Sequence, residues 1–124
     1  MIEKLATAYK NKAHIFIMYI REAHPTDGRA LPNNKFVIPD PKTLEERRQV
    51  AKEFADQLKA SVPILVDTID DQVEKAYAGW PDRVYILDGD GIIVHKGGVG
   101  PAGFRPSLTA APGILDRLIN GSNK

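Results

Sequence analysis

His14-Ile-Phe-Ile-Met-Tyr-Ile-Arg-Glu-Ala-His-Pro-Thr-Asp-Gly28 changes character at its middle. Ile15 to Ile20 is an unbroken apolar run. Within four residues it gives way to Arg21, Glu22 and His24, and Pro25 stops it. So short an apolar run predicts a strand buried on both faces, as in a parallel sheet. Open α/β sheets bind ligands beyond the carboxyl ends of such strands. Tyr19, Glu22 and His24 therefore fall where chemistry is usually done. The plainer alternative is a strand end whose polar residues only cap the loop.

Working outward, Ile2, Leu5, Ala6 and Tyr9 recur at helical spacing and predict a short helix over 2–11. Residues 21–42 are proline-rich, with turn signals at Asp27-Gly28 and Asn33-Asn34, and predict a long irregular segment. Such segments often serve as lids or binding loops. Phe36-Val37-Ile38 is a candidate short strand within it. Thr43-Leu-Glu-Glu46 is a capping box. It opens a helix over about 43–60 with Leu44, Ala51, Phe54, Ala55 and Leu58 on one stripe. Arg47-Arg48, beside Glu45 and Glu46, reads as the solvated side of that helix.

Val62-Pro-Ile-Leu-Val66 predicts a second strand, with proline tolerated near its start. Strand, helix, strand makes a right-handed βαβ unit with parallel strands. Asp70 or Thr68 can cap a short helix through Val73, Ala76 and Tyr77, closed by Gly79. Arg83 to Leu87 and Ile92 to Lys96, joined by Asp88-Gly-Asp-Gly91, predict a hairpin. Gly97 to Gly103 reads as a glycine-rich turn whose glycines permit positive φ. It lacks the Lys-Ser/Thr of a phosphate loop. A last helix is expected with Pro112 in its first turn, Leu115, Leu118 and Ile119 inward, and Gly121 past its end. The order is that of an α/β chain.

The 124 residues are enough for one domain, and the apolar fraction is that of a globular protein. The net charge of +1, with both signs interspersed, argues against a nucleic-acid or anionic-membrane surface. No apolar run has the length of a membrane span, and Met1-Ile-Glu-Lys4 has no signal-peptide core, so a cytoplasmic chain is expected. There is no cysteine, which excludes disulfides, thiolate metal sites and a thiol nucleophile within these residues.

Tyr19-Ile-Arg-Glu-Ala-His-Pro-Thr-Asp-Gly28 closely resembles the Tyr-Ile-x-Glu-Ala-His-Pro-Ser-Asp-Gly signature of the iodothyronine deiodinase family, selenoenzymes of thioredoxin fold. Thr43-Leu-Glu-Glu-Arg47, Ile64-Leu-Val-Asp67 with Ala76-Tyr77, Asp82-Arg-Val-Tyr-Ile86 and Gly97-Gly-x-Gly-Pro101 support it in order. The resemblance spans nearly the whole chain. It implies an α/β fold: a thioredoxin-like three-layer α/β/α sandwich, N-terminally truncated, with a mixed sheet of about four strands in one domain over 1–124.

Members of that family carry, ahead of this point, a central strand ending in selenocysteine or cysteine followed by prolines. Met1 falls where the next helix begins. Selenocysteine is encoded by UGA, so a reading frame begun at the next methionine accounts for the start and for the missing cysteine. A genuine redox-dead relative is the other explanation. In the family's sheet the missing strand lies between the equivalents of Ile15–Ile20 and Arg83–Leu87. Unpaired buried backbone is costly. The two strands are therefore expected to pair directly, or to have the gap filled by strand exchange or a homodimer.

The resemblance also implies roles. Tyr19, Glu22 and His24 match a tyrosine, glutamate and histidine of a proton relay toward selenium and substrate. A histidine titrates near neutral pH, and a carboxylate two residues away can orient it. Trp80-Pro81 stands where thioredoxin-like folds place a proline, often cis, at the border of the active site. With Arg83 it is a candidate for substrate binding. The plainer reading is a loop proline with a trans bond, Trp80 packed on the core and Arg83 a strand-end charge.

Two positions depart from the family's vertebrate members: Arg29 replaces a tryptophan, and Pro41, in Ile38-Pro-Asp-Pro41, replaces a substrate-contacting histidine. They turn the expected substrate from thyroid hormone toward another small halogenated aromatic or a peroxide, with a thiol as reductant. No cofactor is implied. His14 and His95 lack ligand-spaced partners, so no metal is expected. The function expected is a deiodinase-like oxidoreductase, of reductive dehalogenation or thiol peroxidase type, inactive as written for want of Sec or Cys. The alternative is a non-catalytic thioredoxin-like binding or assembly module using the 21–42 loop. No nucleophile–base signature supports a hydrolase.

Overall fold

A computed structural model describes residues 2–25 and 38–121. In chain order the elements are α1 (Ile2–Ala8), β1 (Ile17–Tyr19), α2 (Leu44–Leu58), β2 (Ile64–Val66), α3 (Gln72–Tyr77), β3 (Tyr85–Leu87), β4 (Ile93–Lys96) and α4 (Gly100–Gly121). The α/β class is as the periodicity predicts. Residues 36 and 37 of the candidate Phe36-Val37-Ile38 strand, and the centre of the 21–42 segment, lie outside the described residues. The chain divides into two compact units, Phe16–Pro81 and Met1–Ile15 with Asp82–Lys124.

In the Phe16–Pro81 unit β1 and β2 pair in parallel, Ile17 opposite Ile64 and Tyr19 opposite Val66. This is the βαβ pairing expected of two short strands with a helix between them. Thr43 caps α2 as its box predicts, accepting from the Glu46 amide at 3.1 Å. Glu46 reaches back one residue further than the simple box, to the Lys42 amide at 2.7 Å. Lys59, in the left-handed region at φ 50°, ends the helix. Val62, Ile64 and Val66 share one face of the second strand and line a shallow groove with Ala51 and Ala55 of α2. The opposite face is open: Leu65 is 43% exposed and Phe16, just ahead of β1, is 53% exposed. The expectation of a strand buried on both faces is corrected here, since β1 is only half-buried along its length.

In the other unit β3 and β4 form the expected antiparallel hairpin, Tyr85 opposite Lys96 and Ile86 opposite His95. Asp88 organises the turn. Its carboxylate accepts from the amides of Asp90 at 2.9 Å and Ile92 at 3.0 Å, an Asx-type closure. Tyr9, just beyond α1, is buried and donates its hydroxyl proton to Asp116 of α4 at 2.6 Å, with the Pro112 carbonyl 2.9 Å away. One hydroxyl has one proton, and the carboxylate is the stronger acceptor. That bond, then burial, raises the Tyr9 phenol above its ordinary value.

Two further expectations are corrected. The four strands do not make one mixed sheet. They make two two-stranded sheets, β1–β2 and β3–β4, and β1 does not pair with β3. Each sheet is the pair that a connected segment closes by itself: a βαβ crossover and a hairpin. The strand that the resemblance places between β1 and β3 has no counterpart among the described residues. Second, the last helix starts at Gly100, so Pro106 and Pro112 lie inside it. An interior proline removes an amide donor and crowds the carbonyl four residues back, a cost of about 3 kcal/mol. Both prolines are exposed, while Ser107, Leu108 and Ala111 on the other side are buried. Burial of that face holds the helix through them.

The glycines ahead of α4 serve close approach as much as backbone freedom. Gly100 has φ +71°, as the turn reading expects. Gly103 is there for space: a Cβ on it would lie 2.1 Å from the Gly98 carbonyl carbon.

Candidate functional site

Tyr19 and Asp67 stand at the carboxyl ends of the paired strands β1 and β2 of the Phe16–Pro81 unit. Tyr19, the last residue of β1, donates a hydrogen bond to Glu22 Oε1. Its ring is half-buried and tilted against Phe54 of α2, centroids 6.3 Å apart. The chain leaves the strand immediately after Tyr19, so a residue three positions on can fold back to its hydroxyl. Burial, then the hydrogen bond and negative charge of Glu22, push the Tyr19 phenol far above its ordinary value. Arg47 pulls the other way and Asp40 adds to the rise. The phenol therefore stays protonated at any working pH. His24 follows, half-buried, two residues beyond Glu22.

β2 ends in a second polar cluster that the sequence reading did not find. Asp67 is 1% exposed. Its Oδ1 accepts from the amides of Thr68 at 2.8 Å and Val73 at 2.9 Å, and its Oδ2 from the amide of Glu74 at 2.9 Å. This carboxylate caps α3 from six residues upstream. The expected Thr68 cap is present as well, its hydroxyl accepting from Gln72 at 3.2 Å. Asp70 does not cap the helix amides; it takes the Gln72 side chain instead. Asp71, in the cap position, is left-handed at φ 61° and offers no side-chain bond to the helix amides.

Arg47 corrects another expectation. It is not part of a solvated helix face but 2% exposed. Its Nη1 donates to the Thr68 carbonyl at 2.6 Å, and its Nη2 forms an ion pair with Asp71 Oδ1 at 2.9 Å, outside hydrogen-bond angles. One guanidinium thus ties α2 to the β2–α3 loop, as a planar fork suits it to do. The sequence signal was slight: arginine at a position of α2 one turn from buried Ala51.

Arg21 leaves the strand end between Tyr19 and Glu22. Its guanidinium lies over the ring of Trp80, 4.6 Å from the centroid, and its Nε is 3.6 Å from Glu74 Oε2. The Trp80–Pro81 bond is cis, against the trans loop proline of the plainer reading. Trp80 and Pro81 are half-buried. Arg83 is also half-buried but belongs to the other compact unit, its Nε buried without a hydrogen-bond partner among the described residues. Pro41 is buried.

Of the residues singled out in the sequence, Tyr19 and Glu22 are bonded to each other, and Trp80 is held by a neighbour of Glu22. Among the described residues no three His, Cys, Asp or Glu side chains group as metal ligands. No helix among them is long and apolar enough to cross a membrane. His95 Nε2 lies 3.1 Å from Ser107 Oγ, whose own proton goes to the Gly103 carbonyl at 2.9 Å. The histidine is then the donor, and the contact ties β4 to α4.

The family model described as iodothyronine deiodinase matches residues 1–112. The chain belongs to the iodothyronine deiodinase family. Over 105 residues it is 32% identical to thyroxine 5-deiodinase of Rattus norvegicus. It is 37% identical over 103 residues to type I iodothyronine deiodinase of Xenopus laevis, and 32% over 119 residues to thyroxine 5-deiodinase of Sparus aurata. These matches cover 85%, 83% and 96% of the chain but 34%, 40% and 43% of the relatives. This deiodinase-family chain thus spans about a third to two fifths of their length.

Proposed function

We propose that this chain carries the proton-handling half of a deiodinase-like oxidoreductase site, built on one thioredoxin-like domain over 1–124. The observation that carries it is the Tyr19–Glu22 hydrogen bond at the carboxyl end of β1, in a chain of the deiodinase family. Reductive removal of a halogen from an aryl carbon replaces a carbon–halogen bond by carbon–hydrogen. Two thiols become a disulfide, and the halide leaves with the second proton. A chalcogen takes the halogen, and a proton must reach the ring carbon. A phenol hydrogen-bonded to a carboxylate, with His24 close by in sequence, is a means of holding and passing that proton.

A thiol or selenol is required, and these 124 residues contain none. By themselves they are catalytically incomplete. Trp80 and Pro81 are proposed to face the substrate, a small halogenated aromatic or a peroxide, with a thiol as reductant. Pro41 in place of the family's histidine supports a substrate other than thyroid hormone.

The test has two steps. The nucleotide sequence ahead of the Met1 codon is read for an in-frame UGA or Cys codon followed by proline codons. The extended chain, with Cys or Sec at that codon, is then assayed with iodophenols and with peroxide. Thiol-dependent iodide release or peroxide consumption is expected, and none from the 124-residue chain. An extended chain inert to both would overturn the proposal.

A further inference from the structure

Trp80 is the chain's single tryptophan. Its indole Nε1 is buried and meets no hydrogen-bond acceptor among the described residues. The ring is therefore not fixed by its polar edge, the usual anchor of a buried indole. What lies against its face is a cation. The Arg21 guanidinium carbon is 4.6 Å from the ring centroid, well inside the roughly 6 Å over which the ring quadrupole attracts a cation. Glu74 stands beside the same guanidinium, 3.6 Å from Nε, with its side chain only 11% exposed. A buried carboxylate needs a counter-charge, and among the described residues it meets Arg21, whose own side chain is 44% exposed.

We propose that Arg21 is the positioning residue of the Trp80–Pro81 loop. Its charge, held between the Trp80 ring and Glu74, pins the loop to α3 and to the carboxyl end of β1. That strand end then does two things through consecutive side chains. Glu22 holds the Tyr19 hydroxyl, and Arg21 holds the loop offered above as part of the substrate side. The clamp is a property of the folded chain and does not rest on the catalytic reading, so it is tested without turnover.

The emission of Trp80 in the 124-residue chain reads it directly. Arg21→Met keeps the alkyl stem and removes the charge. Arg21→Lys keeps a cation without the planar stack. Glu74→Gln removes the other side of the clamp. The expected result is a shift of emission to longer wavelength and stronger acrylamide quenching, in the order Arg21→Met, Arg21→Lys, wild type. Glu74→Gln should move in the same direction as Arg21→Met. Circular dichroism establishes that each variant is folded. A folded Arg21→Met with wild-type emission and quenching overturns the proposal. If that variant does not fold, Arg21→Lys and Glu74→Gln decide, and wild-type emission from both overturns it.

Discussion

The Tyr19 hydroxyl donates to the carboxylate of Glu22, three residues further along, just where β1 ends. A phenol so placed resists ionisation, and this has a consequence at high pH. An unfolded tyrosine ionises near pH 10, while folded Tyr19 remains protonated above that. The folded state then binds more protons than the unfolded one, so stability falls as pH rises. The contribution is complete below about pH 10 and is lost toward the folded value. Tyr19→Phe removes it. Urea midpoints measured between about pH 9 and pH 11 should decline more steeply for wild type than for Tyr19→Phe. Tyr9, raised by Asp116, acts in the same direction in both proteins and cancels in the comparison.

Arg47 neutralises Asp71 and satisfies the Thr68 carbonyl from a site with almost no access to water. Arg47→Met leaves the Thr68 carbonyl without its donor and Asp71 without its counter-charge. A loss of about 3 kcal/mol in urea unfolding is expected, the scale for breaking a buried pair. Adding Asp71→Asn should return part of it. A loss below about 1 kcal/mol would place Arg47 with exposed ion pairs.

Asp67 serves three backbone amides. Asp67→Ala should cost at least about 2 kcal/mol, a helix cap plus buried donors left unpaired. Asp67→Asn keeps one acceptor oxygen and should cost less. Thermal unfolding followed by circular dichroism compares the two.

What could be read from the sequence was what neighbours in the chain decide. Thr43 caps α2 and Asp88 closes the hairpin because each bonds amides within four residues. Arg47 was misread because its partner at Thr68 lies 21 residues away, and nothing local tells a buried arginine from a solvated one. Asp67 was missed because it caps an amide six residues on, outside the usual capping window. Pro112 carries a local helix-start signal that burial of Ser107, Leu108 and Ala111 overrides. That β1 does not lie beside β3 was not legible, because pairing between strands far apart in the chain is not encoded in strand periodicity. Tyr19 and Glu22 were legible as polar residues of one strand end, but spacing set Glu22 beside His24, and the bond from Tyr19 to Glu22, three positions on, is seen only in the structure.

Gly103 and Gly89 make opposite predictions. A methyl on Gly103 meets Gly98 backbone at 2.1 Å, and backbone cannot swing aside as a side-chain tip can. Gly103→Ala should lose about 3 kcal/mol or more by urea unfolding, the upper range for overpacking. Gly89 has nothing within 4 Å of the same methyl, and Gly89→Ala should be neutral within about 0.5 kcal/mol.

The most direct test of the Tyr19–Glu22 pair is Glu22→Gln in the chalcogen-bearing form of the chain. Glutamine keeps an oxygen for the Tyr19 hydroxyl but can neither gain nor lose a proton. Thiol-dependent halide release or peroxide consumption should fall by about a hundredfold or more, with the urea midpoint unchanged. A Glu22→Gln protein that turns over at the wild-type rate would contradict the account.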